Sequence, residues 1–107
     1  MSQRLHAHRD ILTVLRKAKP ALRRAILKEV DSQTVLTLCE ICHNIISGAV
    51  PLTPANKSKL SKHKNILRRL AQRGEGWKKK KEVLKLEGGG FLPIILSVLS
   101  GLLGSAF

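Results

Sequence analysis

Tyrosine is absent from the chain, and one Trp and two Phe are its only aromatic residues among 107. Any core is therefore aliphatic. Acids are scarce: seven Asp and Glu face twenty Lys and Arg, a net charge of +13. So few scattered carboxylates leave little for general acid–base chemistry. No serine stands in a G-x-S-x-G elbow and no phosphate loop is present. The four histidines form no catalytic pattern, with His6 and His8 near the start beside Asp10 and His63 among lysines. These absences predict a protein that is not an enzyme and carries no cofactor. No Val/Ile/Thr alternation marks strands, which leaves helices. Residues 1–30 lack the apolar run of a signal peptide, so the two cysteines are expected to be reduced. The length allows one small domain with extensions.

What is abundant is positive charge, unevenly spread. Residues 1–30 hold eight basic and two acidic groups, residues 31–53 hold no Lys or Arg at all, and residues 54–85 hold twelve basic and two acidic groups. Two basic blocks thus flank an apolar segment expected to be buried. A field of this size attracts polyanions: nucleic acid, an anionic membrane or an acidic protein surface.

The pattern predicts an all-α fold, a small bundle of about four helices in residues 1–73. Residues 4–18 place Leu5, Ile11, Leu12, Val14, Leu15 and Ala18 near one face. Pro20 can start a second helix over 20–29, with Leu22, Ala25 and Ile26 inward. Asp31 or Ser32 can cap a third over 32–47, the most apolar and the candidate central helix. Gly48 stops it, and Val50-Pro51-Leu52 is extended. Thr53 caps and Pro54 starts a fourth helix over 54–73, with Leu60, His63, Leu67, Leu70 and Ala71 inward. A basic, Gly-containing linker over 74–90, including a short helix near 82–87, and an apolar C-terminal helix over 91–107 complete the expectation.

Cys39-Glu40-Ile41-Cys42-His43 matches the C-x-x-C-H pattern of covalent haem. It lies mid-helix in the most apolar segment, and Met1 is the only methionine. For zinc, Cys39, Cys42 and His43 could join His6, His8 or His63, but the pairs lack the separation of a finger or ribbon. Two small buried side chains one turn apart is the reading adopted, with no metal.

The second basic block carries the strongest functional signal. Lys57, Lys59, Lys62, Lys64, Arg68, Arg69 and Arg73, followed by Lys78, Lys79, Lys80 and Lys81, are the candidate DNA-binding residues. Cations around a helix neutralise phosphates by counterion release without reading sequence. Base readout would need positioned Arg, Asn or Gln. Asn56, Asn65, Arg68 and Arg69 keep a sequence-specific helical regulator open, and a cationic surface for an acidic protein partner is the plainer alternative.

The C-terminal 17 residues, Phe91–Phe107, carry no charge. As a helix they span about 26 Å, or about 30 Å from Gly88, a bilayer core's thickness. Lys78 to Lys81 would then lie on the cytoplasmic side. Ser97, Gly101 and Gly104 form a small-residue stripe. Phe91, Leu92, Pro93, Ile94, Ile95, Val98, Leu99 and Leu102 are the candidate membrane or capsid contacts, and Phe91-Leu92-Pro93 opening a Leu/Ile/Ser/Gly helix is similar to membrane-active temporin peptides. A membrane-active or tail-anchored basic protein is the second reading. Packing of the tail into its own domain or a partner's groove is the plainer alternative.

Leu86-Glu87-Gly88-Gly89-Gly90 resembles the site cut by adenovirus-type maturation proteases, which take Met, Ile or Leu, any residue, then glycines around the cut. The resemblance implies cleavage between Gly89 and Gly90, with Leu86 and Gly88 as recognition residues. The whole chain resembles the small basic proteins of Polinton/Maverick elements and adintoviruses, themselves similar to the adenovirus core protein precursor X that yields mu. The likeness runs through Ile11 to Pro20, Leu38-Cys39-Glu40, Val50-Pro51-Leu52-Thr53, Lys62-His63-Lys64 and Gly89-Gly90-Phe91-Leu92-Pro93. It implies a core protein in the virion interior and host nucleus, with double-stranded DNA, a viral maturation protease and capsid proteins as partners. Mu is arginine-rich and hardly folded, whereas residues 4–73 here predict a helical domain, which leaves room for a capsid-linking role.

Overall fold

The computed structural model describes residues 7–103, with the backbone alone for residues 87, 88 and 100–103. The described residues form six helices and no strand: α1 Arg9–Lys17, α2 Pro20–Glu29, α3 Ser32–Ile46, α4 Pro54–Ser61, α5 Lys64–Ala71 and α6 Trp77–Leu103. The all-α class is as expected. The count of about four is not, for two reasons: the fourth helix is broken in two, and the C-terminal helix begins at Trp77.

Local chemistry sets the helix starts. Pro20 and Pro54 occupy first turns, where a missing N–H costs nothing. Asp31 caps α3 by accepting from the Thr34 N–H at 2.9 Å, and Thr53 caps α4 by accepting from the Asn56 N–H at 3.1 Å. The Thr34 N–H and hydroxyl bonds hold the Asp31 carboxyl below its ordinary range. Gly48 takes φ +82° after α3, a left-handed conformation that glycine adopts without strain.

α6 is the hub of the fold: it packs against each of the other five helices, while α3 and α5 pack on each other. Phe91, Leu92, Ile95, Leu96 and Leu99 are fully buried, in one cluster with Leu12 and Leu15 of α1, Leu27 of α2, Leu38, Ile41 and Cys42 of α3, and Leu67 and Leu70 of α5. The expected linker is therefore helical from Trp77 onward, and the described part of the expected tail, Phe91 to Leu99, packs into the core. Propensity argued the other way, since three glycines and Pro93 inside a helix cost roughly 6 kcal/mol together. Burying five large apolar side chains returns roughly 10 kcal/mol, and burial wins.

The break in the fourth helix has a packing cause. The His63 N–H bonds Leu60 O at 2.9 Å, a tightened turn that ends α4. This brings the His63 ring to 6.1 Å from the Phe91 ring, centre to centre. A Cβ on Gly90 would stand 2.9 Å from His63 Cε1, so Gly90 lets α6 pass this close.

The inward faces of α1 and α2 also differ from expectation. Val14 is 46% exposed and Leu22 55% exposed, Ala25 is exposed, and α2 instead buries Arg23 and Leu27. The reason lies in Arg23, 5% exposed, whose guanidinium is drawn inward by carbonyls. Its Nε donates to Leu15 O at 2.9 Å and its Nη2 to Ala18 O, at the C-terminus of α1. Its Nη1 donates to Gly89 O at 3.4 Å. That last carbonyl is the one whose i+4 partner is Pro93, which has no N–H to give. Arg23 supplies the missing donor.

Candidate nucleic-acid interface

The basic residues divide into those that hold the fold and those that do not. α1, α2 and α5 each end at a C-cap residue with extended ψ: Ala18, Val30 and Gln72. Such carbonyls lie outside the helical ladder and need donors. Each receives one from a cation on a later helix. Arg23 donates to Ala18 O, Lys81 Nζ to Val30 O at 2.8 Å and Lys80 Nζ to Gln72 O. A cation at a helix C-terminus also complements the negative end of the dipole. Burial lowers the Arg23 pKa from its ordinary high value.

This corrects part of the expected DNA-binding set. Lys80 is buried and Lys81 half-buried, both committed to backbone carbonyls. Arg69 is exposed but clamped by Glu75, Nε to Oε1 at 2.8 Å and Nη2 to Oε2 at 3.0 Å. The pairing raises the Arg69 pKa and lowers that of Glu75, the hydrogen bond between them being the largest cause for each.

The other eight expected residues are exposed: Lys57, Lys59 and Lys62 from α4 and its end, Lys64 and Arg68 from α5, Arg73 from the connection, and Lys78 and Lys79 from α6. Lys78 Nζ stands 5.9 Å from the centre of the Trp77 ring, a cation–π contact that holds the half-buried indole under the charge. Lys78 and Lys79 occupy the first turn of α6, which contains no acid. There the free amides and the macrodipole already make positive potential, and two exposed cations add to it.

Most of the described tail residues expected at a membrane or capsid surface are drawn into the core. Phe91, Leu92, Ile95 and Leu99 are fully buried, and Pro93, Ile94 and Val98 are half-buried. The Leu102 side chain lies outside the described residues, as do Gly104 and the residues after it. Among the described residues no helix is long and apolar enough to cross a membrane. Gly88, Gly89 and Gly90 sit within α6, and Leu86 is exposed. A protease cleft that takes an extended strand meets a helix here.

The cysteine motif is core. Cys42 is fully buried and Cys39 nearly so, and burial pushes both thiols above their ordinary range. His43 is exposed, and no cluster of three metal-ligating side chains occurs among the described residues. Sequence reasoning passed over Arg24, an exposed cation on α2 beside the buried Arg23. The Arg23-Arg24 doublet was its only signal.

Comparison with family models, with curated proteins and with solved structures finds no match.

Proposed function

We propose that this chain binds double-stranded DNA through its phosphates, without reading sequence. The observation that carries the reading is the start of α6. Exposed Lys78 and Lys79 stand where the helix dipole is positive and where acids would stabilise the helix. The positive end of the dipole gives both lysines no stabilising anchor beyond the Trp77 ring for Lys78 and the Glu75 carboxylate near Lys79, and their combined field favours an anion. Six further exposed cations continue the charge along α4, α5 and the connection, while the three that cap helices inside the fold are excluded from it. Lysines dominate this set, which suits phosphate contact over base readout.

The resemblance carried by Ile11 to Pro20, Val50 to Thr53 and Gly89 to Pro93 supports a setting in the core of a DNA virus or virus-like transposon. Maturation between Gly89 and Gly90 belongs to the same proposal. In the folded chain it requires α6 to open first. The test is fluorescence anisotropy with two duplexes of unrelated sequence across a salt series. Equal affinities and a log–log fall with salt support the reading. A preference that persists at high salt, or no binding at low salt, overturns it.

A further inference from the structure

A cavity of about 280 Å³ opens between α2, the α4–α5 junction and the middle of α6. Arg23, Arg24, His63 and Lys85 line it, with Gly89 and Gly90 as one wall and Pro20, Leu27 and Leu86 as apolar surface. No carboxylate lines it among the described residues. Arg23 is held by carbonyls, which fixes a buried positive charge behind the wall. Lys85 is shared with Glu82 at 2.7 Å, and Glu82 itself lies outside the cavity. Arg24 is exposed and makes no ion pair among the described residues. The two glycines leave backbone at the wall where a side chain would otherwise fill space.

Positive charge on several sides, a fixed guanidinium and an apolar flank fit one ligand chemistry. We propose that the cavity is a binding site for a phosphate ester. The anionic oxygens would take Arg24 and Lys85, and the Pro20, Leu27 and Leu86 side would take the sugar-like part. The volume holds roughly nine waters at about 30 Å³ each, more than a lone phosphate needs. The site lies apart from the lysines at the start of α6 and does not depend on duplex binding. The ester could come from a free nucleotide or from a nucleic-acid backbone.

The test uses the full chain labelled with nitrogen-15, titrated with adenosine monophosphate and, separately, adenosine. Saturable amide shifts at Arg24, Gly89 and Gly90 with the nucleotide but not the nucleoside are expected. Arg24→Gln should weaken binding about tenfold, the value of one charge-assisted contact, and Arg9→Gln, which removes the same charge on exposed α1 away from both the cavity and the DNA-facing lysines, should leave it unchanged. Shifts spread evenly over the lysine-bearing helices, or equal losses in the two variants, overturn the proposal. Unlabelled duplex is then added. Displacement of the nucleotide from the cavity names the backbone as a source. Duplex binding without displacement names the free ester. No duplex binding, with the nucleotide still bound, sinks the DNA reading and leaves the cavity site standing.

Discussion

Replacing Arg23 by methionine removes three donors and keeps most of the side chain's volume. Leu15 O, Ala18 O and Gly89 O then lose the partner that Arg23 gives them. A buried carbonyl left unpaired costs about 1–3 kcal/mol, and of the three only the Leu15 bond is fully buried, the other two being part-buried and within reach of water. Part is recovered because a guanidinium no longer has to be desolvated, and the 3.4 Å bond to Gly89 is long. A net loss of about 1–3 kcal/mol follows, a sizeable share of the roughly 5–15 kcal/mol that holds a domain. Urea unfolding followed by circular dichroism at 222 nm reads it directly. Pro93→Ala restores an N–H to the Gly89 carbonyl from within α6, so Arg23→Met should cost about 1 kcal/mol less in that background. A variant within about 0.5 kcal/mol of the parent, or an identical loss in both backgrounds, would refute the assignment of Arg23 as donor to the orphaned carbonyl.

The adjacent glycines should respond oppositely to alanine. Nothing lies within 4 Å of a Cβ on Gly89, so Gly89→Ala gains about 0.5–1 kcal/mol of helix propensity, measured by the same unfolding curves. Gly90→Ala sets that gain against a 2.9 Å approach to His63 Cε1 and should be neutral or destabilising; equal stabilisation at both positions would contradict the packing. Neither thiol should react with an aromatic disulfide reagent at pH 8 in the native state, because burial raises the pKa of both Cys39 and Cys42. Both should react at once in guanidinium chloride. Asp31→Ala should be less stable than the parent at neutral pH. The native carboxyl is held below its unfolded value, so its contribution is present above that value and lost as pH falls. The gap between the two thermal midpoints should therefore narrow below about pH 4 and vanish once the lowered native value is passed. A gap independent of pH would discount the charged cap.

Much of the fold was legible where one residue decides a local event. Asp31 and Thr53 cap, Pro20 and Pro54 start helices, and Gly48 turns the chain, as their chemistry requires. The inward stripe Leu60, Leu67 and Leu70 was legible from its spacing. The middle of α6 was not. Gly88 to Gly90 and Pro93 look like a break in one dimension, and the Arg23 guanidinium and His63 ring that accept them come from 66 and 27 residues away. The basic block was misread for a related reason. Counting charges treats Lys78 to Lys81 as four equal groups. The helix turns two outward and two onto the C-caps of α5 and α2. Arg23 was lost inside its own charge count in the same way.

That division of the lysines is read most directly by duplex binding. The salt dependence of duplex binding should be measured for the parent chain, for Lys78→Gln with Lys79→Gln, and for Lys80→Gln. Each phosphate contact contributes about 0.9 to the log–log slope. The double variant should therefore bind with a slope shallower by about 1.8 and keep a thermal midpoint close to the parent's, since relief of the helix dipole is offset by loss of the Trp77 and Glu75 contacts. Lys80→Gln should unfold more easily and keep the parent slope. An unchanged slope in the double variant, or a Lys80 variant that loses as much, would contradict the claim that the start of α6 is the DNA-facing end.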